Sequence, residues 1–189
     1  MTAQWTAIVL YYRHGPDTAR TIEDLVNQSV SPKNIILVDN DSNDGVCAKI
    51  VSENPQATLL SLPRNMGYAA AMNLAAHQAE DSEWLLFATH EVRLSADAVE
   101  RLLRAGEDPK TVQLAPMLGA LDGSEVWSSG GTLSRLGRPA HAKVAGSESQ
   151  EVTWVDGACH LVRASAFWDV AGFDESFFLY WEDIDLSVR

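Results

Sequence analysis

Basic residues, cysteines and long apolar runs are all scarce in this sequence. Its 189 residues include 14 Lys and Arg against 26 Asp and Glu, which gives a formal net charge of −12 at pH 7. This balance disfavours a nucleic-acid partner or an anionic membrane surface, because both bind to basic protein surfaces. Two cysteines, Cys47 and Cys159, are too few for a disulfide framework or a cysteine metal cluster.

Targeting and membrane-spanning patterns are missing as well. The first residues lack the basic stretch and the apolar run of a signal peptide, and no apolar segment approaches the roughly 18 to 20 residues of a membrane span. The sequence therefore predicts a soluble, cytoplasmic chain with no transmembrane segment. Peripheral contact at the inner face of the membrane is the alternative expectation.

The sequence does contain enough apolar residues for a core, since 46% of its residues are apolar and 21% are charged. One domain over residues 1–189 is therefore expected. Apolar strands alternate with helical patterns through residue 105. Pro16 and Asp17 suit the first turn of the first helix, and Ser95 is the expected cap of the last. Strands are predicted at 5–11, 35–38, 58–62 and 84–88, with a turn at His14-Gly15 after the first, and helices are predicted between the strands and at 95–105.

This alternation predicts right-handed crossovers and an α/β fold with a mainly parallel, Rossmann-like sheet flanked by helices. The pattern becomes looser after residue 110, where residues 119–149 are rich in Gly, Ser and turn residues. Strands are predicted at 112–116, 152–155 and 158–162, and a short helix at 165–170. We therefore expect a smaller, partly antiparallel region in residues 111–189, beside a nucleotide-binding half in residues 1–110.

Polar residues follow each of the first four predicted strands. The carboxyl ends of parallel strands are where ligands bind in open α/β sheets, so these residues predict a nucleotide site. A dinucleotide is disfavoured, because only Gly15 follows the first strand where a glycine-rich motif would be needed. The polar residues are Tyr11, Tyr12 and Arg13 after the first strand, residues 39–44 after the second, Arg64 and Asn65 after the third, and Thr89, His90 and Glu91 after the fourth.

Acidic and aromatic residues are mixed in residues 172–189, where five acidic groups stand among five aromatic ones. Carboxylates in such surroundings lose solvation and repel one another. At least one of them is therefore expected to have a raised pKa and to be able to act as a base.

Four motifs stand in a characteristic order along the chain. They are residues 38–45, residues 65–69 with Asn73, Gly157 with Ala158, and residues 172–175 leading to 182–185. Together they resemble glycosyltransferase family 2, nearest its bacterial rhamnosyltransferase-like branch, over nearly the whole chain. The resemblance implies the GT-A fold and a role in polysaccharide biosynthesis. It also implies transfer of a sugar from a nucleoside-diphosphate donor to a glycan or lipid-linked acceptor, by a single displacement with inversion.

On the donor side, the resemblance implies that Tyr11 and Asp39 hold the nucleoside. The residues that it implies for the donor loop are Asn65, Gly67 and Asn73, with Arg64 as a neighbour. For Asp39, a turn-forming role at the strand end is the alternative, since Asp is favoured there without any ligand. Asp41, Ser42 and Asp44 are expected to cap the next helix.

On the acceptor side, the resemblance implies that Asp183 is the general base, which takes a proton from the acceptor hydroxyl. Glu182 and Asp185 would adjust its pKa, and Trp181 would stack on the acceptor ring. Asp156 and Gly157 belong to the same side. The alternative for this acidic run is that it only complements a helix dipole.

The resemblance implies a divalent cation, Mn²⁺ or Mg²⁺, that Glu91 holds against the diphosphate, with His90 as a weaker candidate ligand. Where the family usually has two carboxylates, this chain has Thr89-His90-Glu91 and only one. The family also usually continues with further helices after the position of Arg189, so the chain is expected to be shortened. A GT-A domain that binds a nucleotide or glycan without catalysis is therefore the alternative function, and a nucleotidyltransferase is a third.

Overall fold

A computed structural model describes residues 3–13, 16–143, 146 and 149–189. Its centre is a six-stranded mixed sheet with the strand order β3-β2-β1-β4-β10-β5. The strands of this sheet are β1 (Trp5–Tyr11), β2 (Asn34–Asp39), β3 (Ala57–Ser61), β4 (Trp84–Thr89), β5 (Gln113–Leu114) and β10 (Cys159–Arg163). β1 to β4 pair in parallel, whereas β10 runs antiparallel to both β4 and β5.

Helices cover both faces of the sheet. They are α1 (Pro16–Val26), α2 (Val46–Glu53), α3 (Gly67–Ala76) with a 3₁₀ turn at His77–Ala79, α4 (Ala98–Ala105), α5 (Ala164–Asp169) and α6 (Glu182–Val188). This arrangement confirms the predicted α/β class with a mainly parallel sheet.

The core has two layers, one on each face of the sheet. Alternation along β1 sends Ala7 and Val9 into the layer under α1, α2 and α4, and Ile8 into the layer under α3, α5 and α6. The small side chains of α3, such as Ala71 and Ala75, are fully buried and let this helix approach the sheet closely.

The starts of α1 and α4 compare differently with the sequence predictions. Helix α1 begins at Pro16 as predicted, with Asp17 in its first turn. Helix α4 begins at Ala98, so the predicted start at residue 95 and the predicted Ser95 cap are wrong. The side chain of Gln28 caps this helix from the end of α1 instead: its Oε1 accepts the Val99 N–H at 3.0 Å, and its Nε2 donates to the Ser95 carbonyl at 2.9 Å.

Two small antiparallel sheets lie in the second half, as expected for that region. They pair β6 (Leu118–Gly119) with β7 (Val126–Ser128), and β8 (Gly131–Leu133) with β9 (Pro139–His141). The strand predicted at 152–155 is wrong, because only Trp154 forms a bridge there, to Gly131. The Gly131 N–H donates to the Trp154 carbonyl at 2.9 Å, and the Trp154 indole packs over Gly131 and donates to the Thr132 carbonyl at 3.3 Å, so one backbone bridge and one side chain replace the predicted strand.

The turn predicted at His14-Gly15 lies outside the described residues. Within the part of the chain that the structure describes, no helix is both long enough and apolar enough to cross a membrane.

Candidate active site

The loops after β1, β2, β3 and β4 meet at one edge of the sheet, because the four strands are parallel. The antiparallel strand β10 starts at the same edge. The Thr89 N–H, at the end of β4, donates to the Ala158 carbonyl at 2.9 Å, next to the first residue of β10. This crossing brings residues 156–158, from the second half of the chain, to the carboxyl ends of the parallel strands.

Tyr11, predicted to hold the nucleoside, is only 1% exposed. Its hydroxyl donates to Asp44 Oδ2 at 2.6 Å, and its ring meets His90 edge-on with 6.0 Å between centroids. Burial, together with the hydrogen bond to Asp44, raises the pKa of Tyr11 far above its ordinary value. The ring is therefore not free to stack on a base. The Tyr11 hydroxyl instead orients Asp44, whose Oδ1 accepts the Val46 N–H at 3.0 Å at the start of α2.

The accessible aromatic ring at the end of β1 is Tyr12, which is half-buried. The Arg13 guanidinium lies 5.0 Å above the centre of that ring. Arg13 has a left-handed backbone, with φ +53°, and its N–H donates to Ser42 Oγ at 3.0 Å. Sequence reasoning assigned Tyr12 and Arg13 no role of their own, although alternation along β1 sends Tyr11 and Tyr12 in opposite directions.

Asp39 is half-buried at the end of β2, and its Oδ1 accepts the Ser42 N–H at 2.8 Å. The next residue, Asn40, is 2% exposed and joins this strand end to the donor loop, residues 64–67. Its Nδ2 donates to Asn65 Oδ1 at 3.0 Å, and its Oδ1 accepts the Met66 N–H at 2.9 Å. This role of Asn40 was not predicted, and the available signal in the sequence was an asparagine shortly after an apolar strand.

Within the donor loop, Arg64 is exposed and Asn65 is half-buried. Asn65 Oδ1 also accepts the Gly67 N–H at 2.9 Å. Gly67 has φ +79°, and a Cβ at this position would lie 2.3 Å from the Phe178 carbonyl oxygen. Only glycine therefore fits this backbone conformation and this close approach.

Asn73 was predicted to belong to the donor-loop motif. In the structure it is 7% exposed and faces residues 172–175. Its Nδ2 donates to the Phe173 carbonyl at 2.9 Å and to Glu175 Oε1 at 3.1 Å, while its Oδ1 accepts the Phe173 N–H at 3.0 Å. These bonds join α3 to the C-terminal segment.

Asp183, the predicted base, lies in the first turn of α6. Its Oδ2 accepts the Gly157 N–H at 2.8 Å and its Oδ1 accepts the Ile184 N–H at 2.8 Å. Burial raises the pKa of Asp183, and the nearby charge of Asp156 raises it further, against the lowering effect of the two hydrogen bonds. A half-buried carboxylate with a raised pKa is a better proton acceptor than an ordinary aspartate.

The neighbours of Asp183 have different environments. Glu182 is 5% exposed, burial raises its pKa, and its Oε2 has no hydrogen-bond partner among the described residues. Asp185 Oδ2 accepts Arg189 Nε at 2.7 Å, and the same guanidinium donates to the Gly172 carbonyl at 2.7 Å. The charge of Asp183 also raises the pKa of Glu182, whereas the Asp185 carboxylate holds Arg189 at the end of α6.

An aromatic strap, defined here as residues 178–181, leads into α6. All four of its side chains are apolar or aromatic and at least half exposed, from 50% at Trp181 to 72% at Tyr180. Tyr180 and Trp181 have left-handed backbones, with φ +68° and +77°. Such conformations cost roughly 1 to 3 kcal/mol in residues other than glycine, and they cluster at functional sites.

The irregular second half contributes one further side chain, His141, which sequence reasoning did not single out. Its Nδ1 lies 3.1 Å from Ser128 Oγ and 3.7 Å from Asp156 Oδ2, and its ring meets Trp154 with 4.8 Å between centroids. No motif in the sequence indicated this residue, because only the packing of the small sheets brings it to Asp156.

Glu91, the predicted metal ligand, is exposed at the same edge of the sheet. Its Oε2 lies 3.1 Å from His90 Nδ1. Within the described ranges no cluster of three or more His, Cys, Asp or Glu side chains could hold a metal ion. A single exposed carboxylate such as Glu91 can supply one ligand to a cation whose other ligands come from a diphosphate and water, as is common for Mg²⁺.

Solved structures with this architecture include glycosyltransferases. The chain is similar to the mannosyltransferase PcManGT of Pyrobaculum calidifontis in complex with GDP-Man and Mn²⁺, with a TM-score of 0.72, 15% identity, and coverage of 97% of this chain and 50% of that one. It is also similar to GalNAc-T7 with UDP, GalNAc and Mn²⁺, with a TM-score of 0.76, 14% identity, and coverage of 98% and 40%. The fold is therefore the GT-A fold of glycosyltransferases, and the chain spans half or less of these solved chains.

Sequence similarity defines the family. Residues 6–171 match the family described as glycosyl transferase family 2. The chain is also 29% identical to the N-acetylglucosaminyl-diphospho-decaprenol L-rhamnosyltransferase of Mycobacterium tuberculosis over 218 aligned residues, which cover 100% of this chain and 71% of that relative. The chain belongs to glycosyl transferase family 2, and the predicted family, fold and enzyme class are confirmed.

Proposed function

We propose that this chain is the catalytic domain of an inverting glycosyltransferase, which transfers a deoxyhexose from a nucleoside-diphosphate donor to a lipid-linked glycan acceptor. Residues 1–110 would form the donor half and residues 111–189 the acceptor half. The sugar and the acceptor class are taken from the rhamnosyltransferase relative, whose name specifies a diphospho-decaprenol acceptor. The observation that carries the proposal is the Asp183 carboxylate, held at the edge of the sheet by the Gly157 N–H at 2.8 Å with its pKa raised by burial.

The donor would lie across the ends of β1, β2 and β3. Tyr12 offers its ring to the base, Asp39 offers a carboxylate oxygen to the nucleoside, and Arg64 offers a cation to the phosphates. Tyr11, Asn40 and Asn73 act behind this surface, since each is buried and hydrogen-bonded within the protein.

A divalent cation would supply electrostatic stabilisation of the diphosphate leaving group. Glu91 would hold it, because its carboxylate is exposed at the strand ends and only 3.1 Å from His90. The support for this assignment is the position of the Glu91 carboxylate after β4, beside the proposed phosphate site.

In the transfer step, Asp183 accepts the proton of an acceptor hydroxyl while that oxygen attacks the anomeric carbon. The new carbon–oxygen bond forms on the face opposite the diphosphate, and the bond to the diphosphate breaks, which releases the nucleoside diphosphate and inverts the anomeric centre. Trp181, which is half exposed, would stack on the acceptor ring. Asp156 and His141 line the same side.

Replacing Asp183 by Asn tests this assignment. We expect transfer to fall at least about 100-fold, because general base catalysis typically contributes roughly 10² to 10⁴ in rate, while donor affinity stays close to that of the wild type. The assay is mass-spectrometric detection of product from UDP-, GDP- and dTDP-linked sugars with an N-acetylglucosaminyl-diphospho-polyprenol acceptor.

Asp169→Asn is the matched control, since it removes an exposed carboxylate at the end of α5, outside the motifs. Full turnover by Asp183→Asn would remove Asp183 from the mechanism.

The single carboxylate in Thr89-His90-Glu91 favours a second candidate function, a GT-A domain that binds a nucleotide sugar without transferring it. Donor binding by the wild type with no transferred or hydrolysed sugar would support that candidate.

A further inference from the structure

Tyr68 carries a buried hydroxyl that the proposed transfer step does not use. The residue is 4% exposed, and its hydroxyl donates to the Gly157 carbonyl at 2.9 Å. Its ring meets Phe173 edge-on with 5.7 Å between centroids, so the side chain is fixed by packing as well as by the hydrogen bond. Tyr68 is the second residue of α3, directly after the donor loop.

The acceptor of this hydrogen bond is the residue that holds the proposed base. The Gly157 N–H donates to Asp183 Oδ2 at 2.8 Å. Glycine has no side chain to restrict its backbone torsions, so the direction of this N–H depends on what else holds the residue. The hydrogen bond from Tyr68 to the carbonyl of Gly157 is such a constraint.

The contact between Gly157 and Asp183 is also tight. A Cβ at position 157 would lie 3.1 Å from both Cβ and Oδ2 of Asp183. The carboxylate therefore has little room to move toward the peptide, and a change in the position of Gly157 reaches Asp183 directly.

Tyr68 is suited to be a permanent donor. Burial raises its pKa well above the ordinary value, and the nearby carboxylates Glu182, Asp183 and Asp156 raise it further. The hydroxyl therefore keeps its proton over the whole physiological range. The titratable groups that face Asp183 are Tyr68 from α3, Asp156 from the segment before β10, and Glu182 from its own helix, with His141 of β9 beside Asp156.

We propose that Tyr68 is a positioning residue for the general base: its hydroxyl fixes the Gly157 peptide, which in turn orients the Asp183 carboxylate. This inference rests on the proposed role of Asp183. The main chain of Tyr68 extends the arrangement, because its N–H donates to the Phe178 carbonyl at 2.8 Å in the aromatic strap. Tyr68, which directly follows the donor loop, thus donates hydrogen bonds both to the aromatic strap before α6 and to the Gly157 peptide that holds Asp183.

The first test needs no substrate. Aspartate-¹³C-labelled protein is titrated by NMR, and the Asp183 carboxyl signal is assigned by its loss in Asp183→Asn. The Gly157 N–H stabilises the charged carboxylate, so loosening it in Tyr68→Phe is expected to raise the pKa of Asp183 above its wild-type value. Phenylalanine keeps the ring that packs on Phe173.

Tyr11→Phe is the matched control for the titration. It removes another buried tyrosine hydroxyl, which bonds to Asp44 at 2.6 Å on the donor side of the sheet. We expect it to leave the Asp183 titration unchanged. Gly157→Ala is the second test variant, because its new Cβ would lie 3.1 Å from Asp183 Cβ and Oδ2, and it is expected to change the same carboxyl signal.

The second test uses turnover with the donor that the transfer assay identifies. In Tyr68→Phe we expect kcat to fall about 10- to 100-fold, since small misplacements of a catalytic group carry losses of this order, with the donor KM unchanged. In a plot of kcat against pH, the fall at acid pH is expected to shift to higher pH, because the pKa of Asp183 is raised. A purely structural role would lower the melting temperature without shifting this fall.

An Asp183 titration that is unchanged in folded Tyr68→Phe overturns the inference, as does an unchanged kcat profile. If Tyr68→Phe does not fold, an unchanged Asp183 signal in Gly157→Ala overturns it instead. Retained turnover in Asp183→Asn is a different result: it removes the proposed base, while the NMR comparison still decides whether Tyr68 orients the carboxylate.

Discussion

His160, in β10, is an ionisable side chain with no access to solvent. It lies between aromatic rings, with 5.3 Å between its centroid and that of Phe87 and 6.0 Å to that of Phe173. Burial lowers the pKa of His160 from 6.5 to about 4, against the opposing effect of the Asp156 backbone. The folded protein therefore keeps this ring neutral at a pH where the unfolded chain protonates it.

This difference predicts a loss of stability in mild acid. Because the pKa is lower in the folded state, the unfolded state gains a proton first as the pH falls below about 6.5, and stability is lost progressively down to about 4. When the pH is lowered from about 7.5 to 4.5, we expect the free energy of unfolding to fall by about 2 to 3 kcal/mol less in His160→Leu than in the wild type. Urea unfolding at the two pH values measures this difference.

His77→Gln is the control for that comparison, since His77 is an exposed histidine on the surface after α3. Because this variant keeps His160, the loss of unfolding free energy that is assigned to His160 should remain between the two pH values. Equal pH dependence of wild type and His160→Leu would contradict the assigned environment of His160.

At the scale of elements, the junction between α3 and the aromatic strap depends on one glycine. Gly67 combines a left-handed backbone, φ +79°, with a distance of 2.3 Å between the position that a Cβ would take and the Phe178 carbonyl oxygen. Gly123 has nearly the same backbone, φ +73°, but nothing within 4 Å of the corresponding position. The two glycines therefore separate the conformational cost of alanine from its steric cost.

We expect Gly123→Ala to destabilise the protein by about 1 to 2 kcal/mol, the cost of a left-handed alanine. Gly67→Ala should cost at least about 2 kcal/mol more, because α3 and the strap must move apart. Urea unfolding of the two variants measures the difference. Equal losses would mean that the strap does not press on α3 in solution.

Other elements mark the limits of sequence patterns. The strands β1, β2 and β4 were predictable because they are apolar, bounded by turn residues and buried on both faces. The start of α4 was not, since its cap comes from Gln28, which is distant in the sequence. Likewise Trp154 joins β8 through a single backbone bridge to Gly131 and an indole hydrogen bond to Thr132, contacts that alternation cannot predict.

At the scale of the whole molecule, the proposed donor site connects the ends of β1, β2 and β3, and the proposed cation at Glu91 adds the end of β4, so ligand binding should stabilise the complete fold. A ligand at about 100 times its dissociation constant adds about 2.7 kcal/mol. For a domain of this size that corresponds to a rise in melting temperature of roughly 5 to 10 °C. Thermal unfolding against nucleoside diphosphates and nucleotide sugars, with and without Mn²⁺ or Mg²⁺, measures this shift.

If Glu91 holds the cation, Glu91→Gln should lose the part of the shift that depends on the metal and keep the part due to the nucleotide alone. Glu107→Gln, which removes an exposed carboxylate after α4, is the control and should behave as the wild type. A metal-dependent shift that is unchanged in Glu91→Gln would exclude Glu91 as the ligand.

The α/β class, the family and the edge of the sheet that carries the site were all predictable from residue order. Apolar periodicity and turn residues act over short distances, and the motifs at 38–45, 65–69 and 182–185 are contiguous. A parallel arrangement of the first four strands then brings their polar ends together without any knowledge of side-chain packing.

The orientation of individual side chains was decided by the tertiary structure. Tyr11 is turned into the protein toward Asp44, Asn73 faces residues 172–175, and Asp183 is held by Gly157, which is 26 positions away. These contacts depend on which buried polar atoms find partners once the layers have packed. Residue order determines which groups reach the edge of the sheet, whereas the desolvation and hydrogen bonding of the packed chain determine which of them can act there.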